Sequence, residues 1–167
     1  MATVWFLLAL IAGDAGAAPP AVGDPAPPLE IVTADGRAGT SPTAGEIVVV
    51  DFFATWCEPC HRALRDLVAI REALGPRLRF VLVDVGEPPA AVQEFLAHTA
   101  LPGGAQVTLD PDGQVMRRWG ARSFPTTFLV DRAGVVRHIN RGWGDGYRAR
   151  LLAWLRAMLA ARAASAR

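Results

Sequence analysis

The chain changes period at residue 57, and that change constrains its fold more than any other feature. Ile47-Val48-Val49-Val50-Asp51-Phe52-Phe53 is a near-continuous β-branched and aromatic run, the pattern of a strand buried on both faces. Beyond Cys57 the apolar residues recur at helical spacing, Leu64, Leu67, Val68, Ile70 and Leu74, with Arg62, Arg65 and Glu72 on the other side and Gly75-Pro76 as the stop. Phe80 to Val85 is a second buried strand. Strand, helix, strand in this order predicts a parallel pair joined by a right-handed crossover.

The rest of the chain extends this unit. Pro88-Pro89 open a helix with Val92, Phe95 and Leu96 on its apolar side. Gln106 to Leu109 is a short strand, Asp110 to Gly113 a turn, and Val115, Met116 and Trp119 mark a short helix. Thr126 to Val130 and Val135 to Ile139, joined through Arg132-Ala133-Gly134, predict an antiparallel hairpin. Asp145 is expected to cap a last helix that buries Leu151, Leu152, Trp154, Leu155, Met158 and Leu159. Near the start, Leu29 to Val32 reads as a short strand with Asp35-Gly36 as its turn. The order predicts an α/β fold, a mixed central sheet flanked by helices on both sides.

Composition sets the bounds. A chain of 167 residues makes one domain over residues 29–163. With 51% hydrophobic and 20% charged residues it is not a disordered tract. A net charge of +1 argues against binding nucleic acid by phosphate neutralisation. Val4 to Ile11 is unbroken and apolar, and Ala15-Gly16-Ala17 follows, so residues 1–17 read as a signal peptide and the protein as periplasmic or otherwise exported. Pro19, Pro20, Pro25, Pro27 and Pro28 make residues 18–28 an extended linker.

Cys57-Glu58-Pro59-Cys60 lies where strand hands over to helix. Two thiols at a helix start can close a disulfide across the first turn and reopen it with little backbone change. Free N–H groups and the positive helix end favour a thiolate on Cys57, which makes it the attacking thiol and the sheltered Cys60 the resolving one. Pro59 fixes φ where its missing N–H costs nothing. A structural disulfide gains little from so small a loop. Two cysteines do not make a four-thiolate zinc site, and His61, His98 and His138 show no paired spacing, so neither a metal nor an organic cofactor is expected. His61 is expected to face solvent.

Val49 to Cys60, with Ala54-Thr55-Trp56 leading into the cysteines, resembles a thioredoxin-family active site. Phe124-Pro125-Thr126-Thr127-Phe128 resembles that family's second signature, and Leu109 to Gly113 with the stretch Val83 to Leu101 resembles the TlpA/ResA-type members. The resemblance spans about residues 22–160. It implies a thioredoxin-like fold with an N-terminal extension and an inserted strand–helix. It also implies exported thiol–disulfide oxidoreductases, mostly reductants of partner-protein disulfides, some serving cytochrome c maturation. On it, Pro125 matches the cis-proline beside the disulfide, and Trp56 the tryptophan that shields the thiols. Asp51 matches the buried acid of thioredoxins, a proton acceptor for Cys60. Phe124, like Arg122 on the same loop, is a candidate partner contact, and Glu58 a solvated residue tuning Cys57. Ala63 departs from the acidic residue of ResA-like chains. Plain packing remains open for Trp56 and Phe124, an ordinary trans proline for Pro125 and a satisfied strand residue for Asp51. A disulfide-bearing protein substrate, a membrane thiol donor and a monomer are expected. A DsbA-like oxidase, a Sco-like copper chaperone and a redoxin-class peroxidase stand as alternatives.

Overall fold

The computed structural model describes residues 18–32 and 38–165. In chain order they form β1 (Leu29–Val32), β2 (Ala38–Ser41), β3 (Ile47–Phe53), α1 (Glu58–Leu74), β4 (Leu78–Val85), α2 (Pro89–His98), β5 (Gln106–Asp110), α3 (Gln114–Trp119), β6 (Thr126–Val130), β7 (Val136–Arg141) and α4 (Tyr147–Ser165). The apolar run of β3 is buried throughout because it is the central strand of a five-stranded sheet ordered β5-β4-β3-β6-β7. It pairs parallel with β4, from Ile47↔Leu78 to Phe53↔Asp84, and antiparallel with β6, from Val48↔Val130 to Phe52↔Thr126. The stretch expected as an insertion holds the end of β4 and α2, and it delivers the chain to β5 at the sheet edge.

Side chains alternate across a strand, so each residue's parity sets its face. Ile47, Val49 and Phe53 join Phe80 and Leu82 on the face packed by Cys60, Leu64, Leu67 and Ile70 of α1 and by Leu151 and Leu155 of α4. Val48, Val50 and Phe52 join Val81, Val83 and Phe128 on the other. By the same alternation Asp51 and Asp84 lie on the α1 face.

Helices do not cover both faces equally. The far face is closed by the six residues of α3, anchored by Trp119 against Phe52 and Phe128, and by Leu29 and Ile31 of the β1–β2 hairpin. Strand β2 escapes the hydrophobic pattern because Ala38-Gly39-Thr40-Ser41 has none; backbone pairing alone defines it. The expected Asp35-Gly36 turn lies outside the described residues, as does the apolar run Val4 to Ile11. The proline-rich stretch expected as an extended linker turns at residues 21–24, where the Asp24 N–H meets the Ala21 carbonyl at 3.1 Å, and it is fastened to the domain. Gly23 donates to Val136 and Ala26 to Gly134, each at 2.8 Å, and Asp24 accepts from Val136 at 2.9 Å. Pro19 reaches Gly120, where a Cβ would stand 2.4 Å from the proline's own; only glycine lets it approach. Asp145 does not cap α4. The first helical bond runs from the Arg150 N–H to the Gly146 carbonyl, and Gly146 holds a left-handed φ of 74° that glycine adopts freely.

Candidate active site

Strand β3 ends at Phe53, and the Cys57 N–H returns to the Ala54 carbonyl at 3.1 Å. This tight turn leaves Cys57 as the N-cap of α1, with extended backbone angles of φ −84° and ψ 100°. Its sulfur accepts the N–H of Cys60 at 3.3 Å. The cap position thus gives the leading sulfur a helix N–H, and Pro59 follows in the first turn, where no donor is lost. Cys57 and Cys60 are joined as a disulfide, their Cα atoms 5.2 Å apart. Cys57 is 5% exposed and Cys60 fully buried, so Cys57 is the more accessible sulfur of the pair.

Around the pair the expected residues divide. Glu58 is exposed, with Arg62 at 3.2 Å and His61 at 3.5 Å. Trp56 is 70% exposed, which rules out plain core packing, and meets the half-buried Phe124 edge-on with ring centres 5.9 Å apart. The Phe124–Pro125 peptide is cis, and Thr126, next along, pairs with Phe52, which places Pro125 at the end of β3 that feeds the cysteine turn. Two loops far apart in sequence therefore meet at one end of the inner strands β3 and β6. Arg122 is exposed on the second of them.

Asp51 is fully buried on the Cys60 face of the sheet. Its register partner on β6 is Thr127, whose hydroxyl donates to Oδ1 at 2.6 Å. The Thr127 proton being committed there, the Tyr147 hydroxyl donates to Thr127 Oγ1 at 2.9 Å. The other oxygen, Oδ2, has no partner among the described residues. Burial pushes the Asp51 carboxyl up to about 7, and the Thr127 bond holds it back from going further. An acid of that pKa is divided between its two forms at neutral pH. Sequence spacing does not reveal Thr127 or Tyr147, which reach Asp51 through strand register and the packing of α4.

Other groups at the site escaped the sequence reading. Asp84 is fully buried on β4, and Glu87, three residues on, accepts the N–H and hydroxyl of Thr55 in the cysteine turn. Asp84 carries the same signal as Asp51, a lone acid in an apolar strand. His61 does not face solvent freely: its ring lies tilted against Phe95 with centres 5.2 Å apart, and its Nε2 lies 2.6 Å from the Thr55 carbonyl.

A disulfide closed across the first turn of a helix can open and re-form, and the chain that carries it is similar to known proteins. The AhpC/TSA family model matches residues 22–139. The thiol-disulfide oxidoreductase ResA of Geobacillus thermodenitrificans is 32% identical over 126 residues, covering 73% of this chain and 70% of its own. A thiol:disulfide interchange protein DsbE homolog of Paracoccus denitrificans is 34% identical over 99 residues, 58% of this chain and 51% of its own. Among solved structures, a Chlorobium tepidum thiol:disulfide interchange protein of the thioredoxin family superposes with a TM-score of 0.66 at 26% identity, covering 83% of this chain and 98% of its own. A helix-capping cysteine pair on a thioredoxin-like sheet, matched over most of the chain by such relatives, makes this chain a member of the AhpC/TSA family and a ResA-type thiol–disulfide oxidoreductase.

Proposed function

We propose that the protein reduces disulfides of exported partner proteins, and that the capping sulfur of Cys57 carries this reading. The Cys57 thiolate attacks a partner disulfide. A Cys57–partner bond forms, the partner's S–S bond breaks, and the departing partner sulfur takes a proton. Cys60 then passes its proton to the Asp51 carboxylate and attacks Cys57. The Cys57–Cys60 disulfide re-forms and the second partner thiol leaves. The partner gains two electrons and the protein loses two. Trp56, Phe124 and cis-Pro125 form the contact surface on which the partner lies. Glu58 and Pro59 tune and shape the first turn of α1. Restoring the dithiol in an oxidising compartment requires a membrane thiol donor.

The direction follows from what surrounds Cys57. Glu58 adds negative charge beside it, and neither residue between the cysteines is a cation, so the thiolate is not over-stabilised. Equilibration with defined glutathione ratios, read by tryptophan fluorescence, should place the potential nearer about −270 mV than about −120 mV. A value near the upper figure would make the protein an oxidase.

Export is proposed on residues 1–17, with the domain following the proline-rich stretch 18–28 and running to residue 163. Among the described residues no helix is long and apolar enough to cross a membrane. Amino-terminal sequencing of the native protein should find a start near Ala18. An intact Met1 in a cytosolic fraction would overturn both the localisation and the need for a membrane donor.

A further inference from the structure

Thr55, two residues before Cys57, has all three of its polar groups held. Its N–H and hydroxyl donate to the two oxygens of Glu87, each at 2.5 Å, and its carbonyl meets His61 Nε2 at 2.6 Å. Glu87 comes from the β4–α2 connection, and Pro88 and Pro89 immediately follow and restrict its backbone. Beneath it lies Asp84, fully buried, with both carboxyl oxygens lacking any N–H or O–H donor among the described residues. Two ionised carboxylates there would repel, and the Asp84 charge would lie out of reach of solvent. A proton kept on Asp84 and donated to Glu87 satisfies both.

We propose that Asp84 and Glu87 act as one carboxyl–carboxylate unit that positions Thr55, and with it the turn carrying Cys57, for thiol–disulfide exchange. Glu87 grips the loop with a full negative charge, which makes both bonds charge-assisted. Asp84 supplies the buried donor that fixes where Glu87 points. Neither acid touches the reacting sulfurs, so both are positioning residues.

The unit also makes the grip sensitive to pH. Burial, and then the neighbouring Glu87, push the Asp84 carboxyl up to about 8. Partial burial works to raise Glu87, but the bonds from Thr55 and Asp84 outweigh it and hold its carboxyl below the usual range. Above about pH 8 Asp84 ionises, the two charges repel, and Glu87 slackens its hold on Thr55. Other titratable groups are near. Asp51 lies on the same sheet face one strand over, His61 of α1 holds the Thr55 carbonyl, and the two cysteines titrate once reduced. Strand β5 presents Leu109 in register with Asp84, and α2 packs Phe95 toward the site while its Glu94 and His98 are exposed.

The test uses the oxidised, full-length, 15N-labelled protein, in which the cysteines do not titrate. The Thr55 amide proton should lie downfield, as for an N–H on a carboxylate, and move upfield in a step centred near pH 8. Asp84→Asn, which keeps an amide donor to Glu87 but cannot ionise, should abolish that step, whereas Asp51→Asn and His61→Gln should retain it. Glu87→Gln should remove the downfield shift at every pH. In the reduced protein at pH 7, Glu87→Gln should slow attack by Cys57 on a small aromatic disulfide about tenfold through lost orientation, and Asp84→Asn should preserve the wild-type rate up to higher pH. A step that survives Asp84→Asn, or a Thr55 resonance unmoved by Glu87→Gln, would overturn the proposal. The amide titration is independent of electron direction and of Asp51, so it stands or falls apart from the reductase reading.

Discussion

Cys60→Ser turns the protein into a trap. Cys57 still attacks, but no second thiol resolves the mixed disulfide, so covalent adducts with partner proteins accumulate in the exported fraction. Cys57→Ser forms none and loses exchange by at least about three orders of magnitude, because the nucleophile itself is gone. The difference rests on geometry. Cys57 caps α1 and keeps a small exposed area, while Cys60 is fully enclosed on the α1 face of the sheet. Alkylation of the reduced wild type at pH 7 should therefore label Cys57 well before Cys60. Mass-spectrometric mapping that found the adducts, or the early label, on Cys60 would reverse the assignment of attacking and resolving thiols.

Asp51→Asn should separate two effects of one buried acid. Kinetically, attack by Cys57 is kept and the resolving step slows. In the wild type, mixed disulfide accumulates mainly below about pH 7, where Asp51 is protonated and cannot take the Cys60 proton. In the variant it accumulates at all pH values. Stopped-flow traces with unchanged resolution would return Asp51 to a packed polar residue. Thermodynamically, the folded oxidised protein holds a proton on Asp51 up to about 7, while the unfolded chain releases it near 3.8. Folding thus binds more protons between those values, and stability falls as pH rises through that window. Asn removes the fall. Its stabilising effect should be absent below pH 4, grow to about pH 7 and level off there, at most on the order of 4 kcal/mol. Asp84 contributes a similar slope to both proteins, so the difference between them isolates Asp51. Equal melting curves of variant and wild type at pH 8 would contradict the buried, neutral-leaning carboxyl.

Local rules carried much of the fold. The period change at Cys57, the apolar strands on either side of α1 and the hairpin β6–β7 follow from side-chain alternation and helical spacing, which neighbouring residues decide. The cysteine pair was legible for the same reason: a helix start is a local event, and its N–H groups act on whatever residue caps it. Local signals failed where backbone pairing or docking stood in for side-chain pattern, as in β2, in the fastening of residues 19–26 to β7 and the Gly120 turn, and in the short-helix-and-hairpin cover of the far face.

The site divides along the same line. From its residues alone the chain specifies a strand that hands two cysteines to a helix, and lone acids at Asp51 and Asp84 in strands that should be apolar. Only the tertiary structure decides what those acids do. Thr127 reaches Asp51 across 76 positions because β3 and β6 are in register, and Tyr147 reaches Thr127 because α4 packs on the same face. Glu87 grips Thr55 across 32 positions because β4 ends beside β3. A carboxyl's charge state depends on the water and the donors around it, and folding, rather than spacing along the chain, brings those donors and excludes that water.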